Sequence, residues 1–210
     1  MSTDSTVTQF LEWCQNQLRE FYSSTMCQVK ITPWDPDNTV HINKIYVQLT
    51  FLQDNREPHT ITKTRLKDCS EVFKGDKERS IRRRILVYER PGIGKSTFTQ
   101  KLAVDWANGK NKILRKFSLL LLIKLRDVCN IPDLCAMLKA AELLSADDPK
   151  AFNNLYEYVR QNQEKVLLIL DGYDEYSGGK SSPVHQIWRG GQLRDCCRSE
   201  EHTSELQSQR

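Results

Sequence analysis

Apolar residues fall along this chain in two rhythms. Over residues 1–22, Phe10, Leu11, Cys14, Leu18, Phe21 and Tyr22 recur near every fourth position. That spacing lines one face of a helix and predicts an amphipathic helix of about four turns. The rhythm then changes. Residues 28–31 and 44–52 (KIYVQLTFL) alternate or run apolar with β-branched and aromatic side chains, which predicts strands, and Trp34-Asp35-Pro36-Asp37-Asn38 between them carries a loop signal. Trp34 and Tyr46 are candidate packing anchors. Residues 53–80 are polar, broken by Pro58 and Gly75, and read as a connector ordered only in part.

From residue 85 the pattern is denser. Ile85, Leu86, Val87 and Tyr88 predict a short strand buried on both faces. Phe98, Leu102 and Trp106 then share one side of a helix over residues 95–108, with Gly109 as its stop. Residues 117–125 (FSLLLLIKL) predict a fully buried parallel strand. Pro132 is expected in the first turn of the next helix, whose stripe is Leu134, Leu138 and Ala141. Asp148 is the expected N-cap of another helix that turns Phe152, Leu155, Tyr156 and Val159 inward. Residues 166–170 (VLLIL) form a third buried strand. This succession predicts an α/β fold, a parallel sheet flanked by helices, preceded by a small segment of one helix and strands.

Composition narrows the class. The 210 residues are 39% hydrophobic and 28% charged, as in a globular domain. The longest apolar run, residues 119–123, is far short of a membrane span, and the N-terminus has neither a basic nor an apolar region of a secretory signal. Seven cysteines without CxxC spacing and four dispersed histidines argue against zinc and for a reducing, cytoplasmic setting. Net charge is +4. Lys77, Arg79, Arg82, Arg83 and Arg84 form a basic cluster that reads as a solvated linker rather than a nucleic-acid patch.

The chemistry concentrates in two places. After the strand at 85–88 come Pro91, Gly92, Ile93, Gly94, Lys95, Ser96 and Thr97, then helix. Strand, glycine loop, Lys-Ser and helix form the layout of a phosphate-binding P-loop. In such a layout unpaired N–H groups at the helix start face the anion, Lys95 can reach the terminal phosphates and the Ser96 hydroxyl can bind Mg²⁺. The pattern G-x-x-x-x-G-K-[ST] is met except at its first glycine, where Glu89 stands and places a carboxylate near incoming phosphates. The second place is the end of the strand at 166–170, where Asp171-Gly172-Tyr173-Asp174-Glu175 follows. A carboxylate at a strand's C-terminal end, downstream of a P-loop, matches a Walker B motif. Asp171 is placed to hold Mg²⁺, and Asp174 or Glu175 to orient the attacking water.

PGIGKSTFTQKLAVDWANG, FSLLLLIKLRDV and VLLILDGYDEY together resemble the N-terminal half of the NACHT domain of NOD-like receptors, DGYDE being the most telling piece. CQVKITPW and INKIYVQLTF resemble the stretch preceding that domain in large invertebrate receptor sets. The resemblance spans most of residues 10–197. It implies an ATP/ADP-binding switch of the STAND class of P-loop NTPases, which exchanges nucleotide, self-associates and clusters effector domains in innate immunity. Gly92, Gly94, Lys95, Ser96 and Thr97 would bind phosphate, Ser96 and Asp171 would bind Mg²⁺, and Asp174 and Glu175 would serve hydrolysis. Glu89 stands where the family has Gly.

The resulting division is residues 1–80 as a flanking segment, 81–197 as the N-terminal part of the NTPase domain and 198–210 as a non-native tail. Residues 198–208 (RSEEHTSELQS) resemble the conceptual translation of a sequencing-library adapter and are set aside from the fold. The resemblance implies that a chain ending at Cys197 lacks the strand that, in the family's sheet, lies between the two motif-bearing strands, and such a chain is expected to be poorly soluble for want of it. Two further classes compete with the switch. One is a P-loop enzyme such as a nucleotide or metabolite kinase, against which DGYDE suits water better than a hydroxyl acceptor. The other is a scaffold that has lost nucleotide binding through Glu89.

Overall fold

The computed structural model describes residues 3–32, 34–57, 60–66, 69–74, 84–88, 90, 92–128, 131–145, 149–179 and 181–202. Helix α1 (Thr3–Ser24) confirms the four-residue rhythm and buries Cys14, Leu18 and Tyr22. These join one continuous core with the helix and strands of the sheet domain. The flanking segment therefore shares its core with the domain that follows.

The next stretch departs from the pattern reading. Strand β1 (Gln28–Thr32) pairs antiparallel with β2 (Asp35–His41), Val29 facing Val40, so most of the expected loop at 34–38 is strand. Trp34 sits at the turn, 82% exposed, and anchors nothing. Residues 44–52 do not form a strand. Lys44 and Ile45 end helix α2 (Ile42–Ile45), and residues 46–51 are irregular. Tyr46 and Phe51 pack singly onto a helix instead of laddering with a neighbour, and Val47 is exposed. Phe51 lies 4.6 Å, ring to ring, from Phe98, and Lys101 Nζ sits 5.6 Å over the Tyr46 ring, so Tyr46 does act as an anchor. The supposed connector holds a hairpin of β3 (Leu52–Glu57) and β4 (Thr60–Arg65), then a 3-10 turn, Cys69–Phe73, with Phe73 fully buried. Polar strands give no apolar run to read, and the hairpin rests on backbone pairing.

The sheet at the centre contains β5 (Arg84–Tyr88), β6 (Leu119–Lys124), β7 (Val166–Asp171) and β8 (Cys197–His202), all parallel, in the order β5-β8-β7-β6. β6 and β7 are buried along almost their whole length, as their leucine runs require. β5 is not buried on both faces. It is a terminal strand, with Ile85 and Val87 half-buried and Leu86 and Tyr88 44% and 45% exposed.

The slot expected to be empty in a chain ending at Cys197 is occupied by a strand that runs on into the residues set aside as a tail. Cys197–His202 fills the slot between β5 and β7, with Tyr88 opposite His202 and Leu170 opposite Glu200. CRSEEH carries no apolar run or alternation that would mark a strand. The gap between two parallel strands, however, presents unpaired N–H and C=O groups on both sides, and a six-residue segment of any composition satisfies them.

Helices complete the layers. α3 (Lys95–Ala107) buries Phe98, Leu102 and Trp106 as expected and ends in a Schellman arrangement. Gly109, at φ +60°, donates its N–H to Trp106 O, and Lys110 N–H reaches Asp105 O. α4 (Leu134–Ala140) is capped by Asp133, whose carboxylate accepts from Ala136 N–H, so Pro132 lies before the cap instead of in the first turn. α5 (Pro149–Gln161) buries Phe152, Leu155 and Val159 and half-buries Tyr156; its proposed cap, Asp148, lies outside the described residues. α6 (Pro183–Arg189), unforeseen, begins at the cap Ser182 and ends at Gly190, φ +76°.

Candidate functional site

Two segments of sequence meet at the C-terminal end of the sheet. From β5 the chain enters the glycine loop, where Gly92 and Gly94 adopt φ +80° and +100°. An L-residue at those angles carries backbone strain, which explains glycine at both. Gly94 caps α3, its carbonyl accepting Phe98 N–H at 2.9 Å, and it has no side chain to occupy the first-turn N–H groups. Those groups and the helix dipole favour an anion at this point.

Lys95 is 9% exposed, and its Nζ donates to Arg90 O at 3.3 Å. The ammonium is thus folded back over the loop it would share with a phosphate. Ser96 is exposed and Thr97 half-buried; Ile93 is 49% exposed. Thr99, fully buried, donates through Oγ1 to Ser96 O at 3.0 Å and steadies the first turn. Glu89 and Pro91 lie outside the described residues.

β7 brings the second segment. Asp171 ends the strand, 7% exposed, and its Oδ1 accepts the Ser96 hydroxyl at 2.9 Å across 75 residues of sequence. The chain then turns at Gly172, φ +81°, into a one-turn 3-10 segment, Tyr173–Glu175, closed by Glu175 N–H donating to Gly172 O at 3.1 Å. Asp174 and Glu175 are exposed. The structure thus brings Ser96 and Asp171 together, while Asp174 and Glu175 stand one turn further on at the same sheet end.

Mg²⁺ prefers hard oxygen ligands, typically one or two from protein with the rest from phosphate and water. A serine hydroxyl already bonded to a buried carboxylate, beside a helix start, fits that preference. Among the described residues no group of three or more His, Cys, Asp or Glu side chains comes together as a self-sufficient metal cage.

The pattern reading did not find the support behind this turn. The Tyr173 hydroxyl lies 3.3 Å from His185 Nδ1, and its ring sits 5.9 Å from that of Trp188. The signal was present in Ser182-Pro183, a cap followed by proline at the first helical position, and in Gly190-Gly191 at the far end.

A parallel sheet whose edge strand feeds a glycine loop and helix, with a strand-end aspartate bonded to the loop's serine, defines a P-loop NTPase fold. The NACHT domain family model matches residues 83–201, more than half of the chain, and the chain belongs to that family. The match takes in β5 and runs into β8.

The chain is similar to human "NACHT, LRR and PYD domains-containing protein 2", 27% identical over 49% of this chain and 9% of that protein. It is also similar to mouse "Protein NLRC5", 33% identical over 41% of this chain and 4% of that protein. Human "NACHT, LRR and PYD domains-containing protein 12" is 33% identical over 50% of this chain and 9% of its own length. The chain therefore spans less than a tenth of each of these relatives. Among the described residues, no helix is long and apolar enough to cross a membrane.

Proposed function

We propose that this chain is the nucleotide-binding module of a NOD-like receptor-type signalling protein, taking ATP or ADP with Mg²⁺ and acting as a conformational and oligomerisation switch in cytoplasmic innate immunity. The observation that carries the reading is the 2.9 Å bond from Ser96 Oγ to Asp171 Oδ1. It joins the phosphate loop to the end of a strand 75 residues away, at the point where a metal-bound phosphate needs both ligands.

In this reading the loop residues Pro91, Gly92, Ile93 and Gly94, with Thr97, surround the phosphates, and the first-turn N–H groups of α3 donate to them. Lys95 exchanges its carbonyl partner for phosphate oxygens. Ser96 and Asp171 hold Mg²⁺, which supplies charge neutralisation at the β- and γ-phosphates. Asp174 and Glu175 orient water for slow hydrolysis. α3 packs on α1 and on β6, so a change at Lys95 and Ser96 bears directly on the flanking segment. Self-association and the sensor and effector partners belong to the full-length protein.

The test is equilibrium titration of the chain with fluorescent ATP and ADP, with and without Mg²⁺, beside Lys95→Ala. Mg²⁺-dependent binding that Lys95→Ala weakens by about tenfold or more supports the reading. A chain that melts cooperatively yet binds neither nucleotide sinks it, and steady turnover only with a small-molecule phosphate acceptor would favour a kinase.

A further inference from the structure

A strand can aim one side chain at its end, but Asp174 and Glu175 lie beyond β7, on a single 3-10 turn. Such a turn has poorer hydrogen-bond geometry than α-helix and no second turn to lean on. Its backbone bonds, Glu175 N–H to Gly172 O and Tyr176 N–H to Tyr173 O, are 3.1 and 3.3 Å long. It follows Gly172, a residue of high conformational freedom at φ +81°.

The lateral support comes from Tyr173. Half-buried, its ring stacks on His185 at 6.2 Å between centroids and 22° between planes, and its hydroxyl is 3.3 Å from His185 Nδ1. That bond forms with either tautomer, the hydroxyl donating in one and accepting in the other. Trp188, three residues on and so on the same face of α6, adds a second ring contact at 5.9 Å.

α6 is itself fixed. Ser182 Oγ accepts the His185 N–H at 3.3 Å, and Val184 and Ile187 are fully buried. The helix that carries His185 and Trp188 is therefore anchored in the core through Val184 and Ile187, while the two rings Tyr173 meets are themselves half-buried.

We propose that His185 is a positioning residue for Asp174 and Glu175, acting through Tyr173. The proposal rests on the reading above in which these carboxylates orient the attacking water. Tyr173 directly precedes Asp174, so a ring held against α6 fixes the peptide that carries the first carboxylate, and with it the turn that carries the second. His185 and Trp188 meet the turn through Tyr173, and their effect is on where the carboxylates stand.

The experiment compares wild type, His185→Ala and His185→Asn in the whole chain by amide hydrogen exchange, nucleotide affinity and ATP turnover. Asn places an amide near the position of Nδ1 and restores a partner for the Tyr173 hydroxyl. In His185→Ala, exchange at the Glu175 and Tyr176 amides is expected to rise about fivefold, and kcat to fall by a similar factor. Nucleotide Kd and the amides of α3 and β7 are expected to stay unchanged, and His185→Asn to restore both the turn and the turnover.

Unchanged exchange at the turn overturns the proposal. So does a rise spread equally over α3 and β7, or a failure of Asn to rescue. Should His185→Ala not fold, Tyr173→Phe keeps the stack, removes only the hydroxyl and is expected to give the same local rise; no rise counts against the proposal. A folded wild type that binds no nucleotide would sink the nucleotide reading, and the exchange comparison would still decide whether His185 holds the turn.

Discussion

Tyr22 and Leu122 are joined where a neighbouring strand would otherwise be. β6 is a terminal strand of the sheet, and the phenolic oxygen of Tyr22 accepts the Leu122 N–H at 3.1 Å while donating to Leu120 O at 3.0 Å. One hydroxyl thus satisfies both a donor and an acceptor of a buried sheet edge, and Gln15 Nε2 adds a bond to Ser118 O at 3.0 Å. Helix α1 blunts an edge that would otherwise template pairing with another chain. Burial also pushes the Tyr22 hydroxyl up from its ordinary pKa.

Tyr22→Phe keeps the ring packing and leaves Leu122 N–H and Leu120 O without that partner. The expected loss is about 1–3 kcal/mol of unfolding free energy, the cost of stranding buried polar groups. Urea denaturation checks it. A change within about 0.3 kcal/mol, as at an unremarkable surface site, would mean that the edge finds another partner.

Ser96→Ala removes the hydroxyl shared with Asp171. Affinity for ATP in Mg²⁺ is expected to fall about tenfold, and affinity in EDTA to change little, because only the metal-linked contact is lost. The measurement is a pair of titrations per variant. Equal losses with and without Mg²⁺ would show that Ser96 acts on phosphate alone.

Glu89→Gly is expected to raise affinity for a nucleoside triphosphate by about tenfold or more, since Glu89 stands at the first glycine of the P-loop pattern and a carboxylate close to phosphate oxygens would repel them even in a partly screened site. The gain should shrink as salt rises. No gain at any ionic strength would clear Glu89 of weakening the site.

Cys14 supplies a pH dependence. Its thiol is buried on α1, 1% exposed, and desolvation pushes its pKa from 9.0 up to about 12. The unfolded chain loses this proton first, so the contribution is whole below pH 9 and is lost as pH rises toward about 12. Stability of the wild type should therefore fall across that window more steeply than that of Cys14→Ala, which starts lower for lack of the sulfur. Native Cys14 should also resist alkylation at pH 8 until the chain is unfolded. Parallel alkaline limbs for the two proteins would assign the loss to other groups.

Much of the domain was legible because local rules fixed it. Buried parallel strands announce themselves as leucine runs, as in β6 and β7, and the i, i+4 stripe of α3 survives in the fold. The glycine loop was readable from spacing alone, since helix starts attract anions wherever they occur. The errors fall where backbone pairing outranks side-chain pattern. β2, β3, β4 and β8 are polar strands, invisible to hydrophobic periodicity, and KIYVQLTFL has the apolar, β-branched and aromatic content of a strand without forming one. In the structure Tyr46 and Phe51 each pack separately against α3.

The sequence by itself determined where a glycine loop followed by Lys-Ser and a strand-end carboxylate stand, and which segments carry the apolar runs of a core, because residue type and spacing act over a few positions. Only the tertiary structure decided that Ser96 and Asp171 touch, that Tyr22 closes the edge at Leu122, that Cys197–His202 fills the central slot, and that His185 stands behind Tyr173. Each depends on which groups remain unpaired once the sheet has formed, and that is a property of the assembled backbone rather than of any stretch of it.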